Sequence, residues 1–222
     1  MKAFGSVIIA CLSILLAANF FLSCNKRPCG APYVEHYQEV PDFRGFDADL
    51  NAKITYTYGA VPGVRIHGDS ATLSAIGYHV TGGILVLRYK KPNAVHARPV
   101  TVILTSPALK TVSVAGSGSL VMPVLSAPEL TVKMAGSSNV VIGSLEAGRA
   151  SVSVLGSGNF IMESGTVQQQ TVSAAGSGYA DMSNCDITAA AVSISGSGDV
   201  YSRKQTDVQL QQTGSGRLIR KE

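Results

Sequence analysis

The sequence predicts an all-β, single-stranded parallel β-helix with about 20 residues per coil and an irregular β cap at its N-terminal end. Two observations predict it. Gly116-Ser117-Gly118, Gly136-Ser137-Ser138, Gly156-Ser157-Gly158, Gly176-Ser177-Gly178 and Gly196-Ser197-Gly198 start 20 residues apart, and Gly214-Ser215-Gly216 follows 18 residues later. Four residues before each first glycine stand Val112, Val132, Val152, Val172, Val192 and Leu210, and two before it Val114, Met134, Val154, Ala174, Ile194 and Gln212, with mostly polar residues between. Such alternation describes strands with one face in and one face out, and a constant period stacks equivalent residues over one another. Helical repeats are excluded by the same period of two and by the β-branched content.

The chain has 222 residues, 45% apolar and 14% charged, with no Trp, so it is apolar enough to fold and long enough for one domain or one elongated array. Its net charge of +4 comes from scattered residues, and no basic run interleaved with aromatics exists, which argues against a nucleic-acid partner.

At the N-terminus, Lys2 precedes a mostly apolar stretch from Val7 to Leu22, too short to span a bilayer comfortably and ordered as an export signal over residues 1–23. Phe21-Leu22-Ser23-Cys24 resembles a bacterial lipobox, with Phe21 in place of the usual aliphatic residue. Cys24 is therefore the expected lipid attachment and the membrane the expected partner of the N-terminus; ordinary cleavage near Ala17 or Ala18 is the alternative. Once Cys11 is removed and Cys24 acylated, Cys29 and Cys185 remain, and a disulfide between them is not favoured. Residues 24–44, polar and carrying Pro28 and Pro32, are expected to form a tether.

Residues 45–108 are expected to form irregular first coils and the cap. Ile54, Tyr56 and Tyr58 alternate with polar residues, and Gly82-Gly83 marks a hairpin between Tyr78–Val80 and Ile84–Tyr89. Residues 109–222 form the regular repeats. Beyond each Gly-Ser-Gly the columns continue inward as Leu120, Val140, Phe160, Ala180, Val200 and Leu218, then as Met122, Ile142, Met162 and Met182 before failing at Ser202 and Arg220.

The repeated Val-x-x-x-Gly-Ser-Gly-x-apolar coils, preceded by residues 100–109, resemble the head GIN domain family of autotransporter adhesins, common among Bacteroidetes lipoproteins. The resemblance spans residues from about 45 to 222. It implies a right-handed β-helix and an adhesive role. The eponymous motif survives loosely as Gly158-Asn159-Phe160 and Ser138-Asn139-Val140. In such lipoproteins an acidic run after the Cys accompanies surface export; here Lys26 and Arg27 stand instead, which points to a periplasm-facing position at the outer membrane.

No residues at the expected spacing support catalysis, a cofactor or a metal. His36, His67, His79 and His96 all precede the repeats, so a Ser-His-Asp arrangement within the coils is excluded. The carboxylates of the coils share no column, and the closest pair, Asp181 and Asp199, is too small a ligand set for Ca²⁺. Gly-Ser-Gly lacks the following helix that a phosphate cradle requires. What remains is an outward face: Val121, Val141 and Ile161 lie on successive coils, followed by Asp181 and Tyr201, with Asn139, Asn159 and Tyr179 nearby. This face is the candidate interaction surface, for an envelope protein, a glycan or a second copy. The expected function is thus a non-enzymatic envelope β-helix lipoprotein for adhesion or binding, the alternative a pectate-lyase-like carbohydrate-active enzyme on the same scaffold.

Overall fold

The computed structural model describes residues 33–91 and 100–222. The export signal, Cys24, Cys29, His96 and residues 24–32 of the tether lie outside the described residues.

The regular half begins with β8 (Thr111–Ala115) and continues through β9 (Ser119–Gly136) and β10 (Asn139–Gly156), which each run round a corner without interruption. β11 (Phe160–Met162), β12 (Gly165–Gly176), β13 (Ala180–Met182), β14 (Asp186–Gly196), β15 (Val200–Arg203), β16 (Asp207–Gly214) and β17 (Leu218–Lys221) complete it. Every pairing among them is parallel, and from β8 to β14 equivalent residues lie 20 apart: Val112 pairs with Val132, Val132 with Val152, Val152 with Val172 and Val172 with Val192. These five valines are buried, none more than 3% exposed, and removing each from water stabilises the stack by roughly 1.5–3 kcal/mol.

The interior columns behave as expected except at the last rung. Leu210 is 43% exposed and Leu218 half-buried, because among the described residues no further coil stacks below β16 and β17. Gln212 and Arg220 occupy the same rung and tolerate that exposure.

The corner glycines are required by space as well as by dihedral. Gly136 has φ +81°, and a Cβ there would stand 2.7 Å from the carbonyl oxygen of Gly116 in the coil above. The serines beside these glycines are exposed, and only the last two approach each other among the described residues, Ser197 and Ser215 with their hydroxyl oxygens 3.1 Å apart.

The N-terminal half departs from sequence order. β2 (Gly45–Asp49) lies between β6 (Ile84–Tyr89) and β8, and β3 (Ala52–Tyr58) between β7 (Val100–Ser106) and β9, all parallel. The coil written first in the chain is therefore second in the stack. The coil of β6 and β7 sits outside it, and the chain passes over it to reach β8.

Antiparallel strands close this end. β4 (Gly63–Asp69) pairs with β7, β1 (Tyr33–Glu39) with β4, and β5 (Ile76–Thr81) with β6 through the Gly82-Gly83 turn, where φ is +59° and +74°. Between β4 and β5 a single helical turn, α1 (Ser70–Ala75), places Leu73 against the core. It starts at Asp69, whose carboxylate accepts from the Thr72 N–H at 3.0 Å and from the Thr72 hydroxyl at 2.6 Å. The tether reading of residues 24–44 needs correction: residues 33–39 form β1. Antiparallel pairing satisfies an edge of β4 that would otherwise stay open.

Candidate functional site

Sheet register brings the predicted surface residues onto one face. Val121 pairs with Val141, Val141 with Ile161, Ile161 with Asp181, Asp181 with Tyr201 and Tyr201 with Ile219, so these side chains form one outward column. All are half-buried, since stacked neighbours on parallel rungs shield one another.

Two residues earlier on each rung runs the column of Asn139, Asn159, Tyr179, Asp199 and Arg217. Its asparagines act on the backbone. The Asn159 N–H donates to Asn139 Oδ1 at 3.1 Å, and the Tyr179 N–H to Asn159 Oδ1 at 3.2 Å. Asp199 does the same one step on, its Oδ1 accepting from the Arg217 N–H at 2.9 Å.

The lower part of the face is aromatic and charged. The rings of Tyr179 and Tyr201 meet edge-to-face with centroids 6.1 Å apart, and Lys221 Nζ lies 4.3 Å from the Tyr201 centroid. The same ammonium is 2.8 Å from Asp181 Oδ2, and Arg217 Nη2 is 3.0 Å from Asp199 Oδ2. Partial burial works against ionising Asp181, but hydrogen bonds from Lys221 and Ser183 outweigh it and hold its carboxyl below the usual range. The hydrogen bond from the Arg217 guanidinium does the same for Asp199. Both carboxylates considered from the sequence as a cation pair are thus each engaged by a basic side chain. Among the described residues no three His, Cys, Asp or Glu side chains converge in a way that could hold a metal.

The described histidines belong to the cap. His36 Nε2 lies 2.8 Å from the Tyr78 hydroxyl, and His67 Nε2 lies 3.5 Å from Glu35, which also pairs with Arg65 at 2.6 Å. Cys185 is a fully buried free thiol that donates to the Met162 carbonyl at 3.3 Å; burial, with Asp181 and Asp186 adding to it, pushes its pKa up to about 12.

A second feature lies on another side of the coil. Residues 56–58, 107–110 and 123–128 line an apolar groove of about 620 Å³. Tyr56, Leu109 and Leu125 are buried in its floor, while Tyr58 and Val124 at its edge are 74% and 67% exposed.

A family model described as "Putative auto-transporter adhesin, head GIN domain" matches residues 42–221. The chain belongs to the head GIN domain family. No curated protein matches it. Solved structures share the fold of this head GIN domain. A putative adhesin from Bacteroides fragilis is 21% identical with a TM-score of 0.69, covering 86% of this chain and 97% of its own. A protein named putative lipid binding protein, from Parabacteroides distasonis, is 19% identical with a TM-score of 0.63, covering 86% and 97%. A putative adhesin from Parabacteroides merdae is 16% identical with a TM-score of 0.53, covering 86% and 96%.

The groove of this head GIN domain was not anticipated from the repeat pattern. Its trace in the sequence is a break in the pattern: Pro107 to Lys110 is a link shorter than the corresponding stretch of later coils, and Pro123 and Pro128 stand where the next coil carries Gly143 and Gly148.

Proposed function

We propose that this head GIN domain is a non-catalytic binding module of the bacterial cell envelope, anchored through a lipid on Cys24, facing the periplasm, and meeting its partner through the outward face centred on Val141 and Ile161. The observation that carries this reading is the run of Val121, Val141 and Ile161 on three successive rungs, continuing toward the Tyr179–Tyr201 pair. Aliphatic side chains on an outward sheet face, set on a scaffold whose backbone is hydrogen-bonded on both sides, offer an adhesive patch that needs no moving part. Membership of a family described as adhesins supports the envelope setting. The partner is an envelope protein, a glycan or a second copy of the chain.

The carbohydrate-active alternative is less well supported. It requires carboxylates converging with a basic residue in a groove. Here Asp181 and Asp199 are engaged by Lys221 and Arg217, and among the described residues no acidic side chain lines the apolar groove.

The test is a Val141→Lys, Ile161→Lys double variant compared with the parent for self-association and for capture of envelope components. Loss of either with unchanged folding supports the reading; wild-type assembly and capture by a folded double variant would contradict it. Labelling of cells with a radioactive fatty acid, with Cys24→Ala as control, tests the anchor separately.

A further inference from the structure

We infer that the groove between residues 107–110 and 123–128 binds a single-chain anionic amphiphile, a fatty acid, with the acyl chain along the apolar floor and the carboxylate at Lys110. The site is on a different side of the coil from the adhesive face and does not depend on it.

The groove exists because one rung is missing. The coil of β2 and β3 leaves the stack at Tyr58 to enter β4, so it contributes no third side. Residues 107–110 must instead descend past that level. The Lys110 N–H donates to the carbonyl of Arg44, which leads into β2, at 2.6 Å, and the Lys110 carbonyl accepts from the Thr131 N–H at 2.7 Å. β3 pairs with β9 only as far as Thr55 and Val121, so the edge of β9 beyond that point meets no strand of β3, and an apolar groove opens there. Its volume of about 620 Å³ falls within the range of small-ligand pockets.

The rims decide what kind of chain fits. A peptide strand would dock through backbone N–H groups along both edges, and Pro107, Pro123 and Pro128 remove three of those donors from the lining. An acyl chain asks for no hydrogen bonds, and the floor of Tyr56, Leu109, Leu125 and Ala127 gives it contact with buried apolar surface. Exposed Tyr58 and Val124 flank that floor and would lose water contact on binding.

The polar end is specified by charge. Among the described residues Lys110 is the one charged side chain lining the groove; it is exposed, and it has no ion-pair partner among them. A cation at the rim of an otherwise apolar slot is complementary to one carboxylate at the end of one chain.

The experiment titrates the delipidated, purified chain with a fluorescent fatty acid and displaces it with laurate or with dodecanol. Saturable one-site binding displaced by laurate is expected. Lys110→Glu should weaken laurate about tenfold while leaving dodecanol unchanged, whereas Val124→Asp should weaken both. Both side chains are exposed, so the variants should fold, which circular dichroism checks; Tyr58→Ser provides a second route to the apolar rim. Failure of the parent to bind saturably, folded variants that bind as the parent does, or displacement by an extended peptide but not by laurate would each overturn the assignment.

Discussion

Asn139 hands a hydrogen-bond acceptor to the backbone of Asn159, the equivalent residue of the next coil, at 3.1 Å. Asn159 repeats the contact to Tyr179, and there the asparagine series stops because a phenol ring cannot reach back to the chain in the same way. These two asparagines are thus structural ties between coils, which explains their placement beside the corners at 136–138 and 156–158. Replacing Asn159 by Ala should cost about 1 kcal/mol in urea unfolding. Tyr179→Asn should recover a comparable amount by tying the next rung, at the loss of the Tyr201 ring contact. No change for Asn159→Ala would show that the tie contributes nothing.

The interior columns predict a contrast along one column. Val172 is fully buried and Leu210 is 43% exposed. Truncating Val172 to Ala should destabilise by about 2 kcal/mol, while Leu210→Ala should cost less than about 0.5 kcal/mol. Equal effects in chemical denaturation would mean that the last rung is packed like the others.

Legibility in the sequence follows the range of the interaction. The valine columns could be found because each coil repeats its neighbour, and the period alone assigns Val132, Val152 and Val172 to one line. The insertion of β2 and β3 beneath β6 and β7 could not, since coil order in a stack is a long-range choice that leaves no local periodicity. The same choice opens the groove at Lys110, and the short 107–110 link and the prolines at 123 and 128 break the repeat there without a period that would mark a groove. β1 was missed because Tyr33-Val34-Glu35-His36-Tyr37 has too little aliphatic alternation, and its pairing with β4 supplies what its own pattern lacks. The face around Val141 was legible, because outward positions follow from the inward columns by a shift of one residue.

Acid should loosen the C-terminal rungs. Asp181 and Asp199 have carboxyl pKa values lowered by Lys221 and Arg217, so their ion pairs contribute stability above the unfolded carboxylate pKa of about 3.9. That contribution disappears as pH falls through the lower folded values. Thermal melts from pH 6 to about pH 2 should therefore fall less steeply for Asp181→Asn, Asp199→Asn than for the parent. Parallel profiles would remove these pairs from the account.

Cys185 reports on the closed interior. With its thiol fully buried and its pKa pushed up to about 12, it should resist iodoacetamide at pH 8 in the native protein and react once the chain is unfolded. Mass spectrometry of the peptide carrying Cys185 reads this directly, and rapid native labelling would place the thiol in solvent.

The stack itself is tested most directly by cross-linking across it. Ser153 and Ser173 are paired in register on the non-core side of β10 and β12. Adjacent parallel strands bring such positions within the Cα separation of about 4.4–6.8 Å that a disulfide spans. In a Cys29→Ser, Cys185→Ala background, Ser153→Cys, Ser173→Cys should form an intramolecular disulfide under mild oxidation, mapped by peptide mass spectrometry. The off-register pair Ser153→Cys, Gln169→Cys should not. Cross-linking of the second pair and not the first would contradict a solenoid of coils 20 residues long.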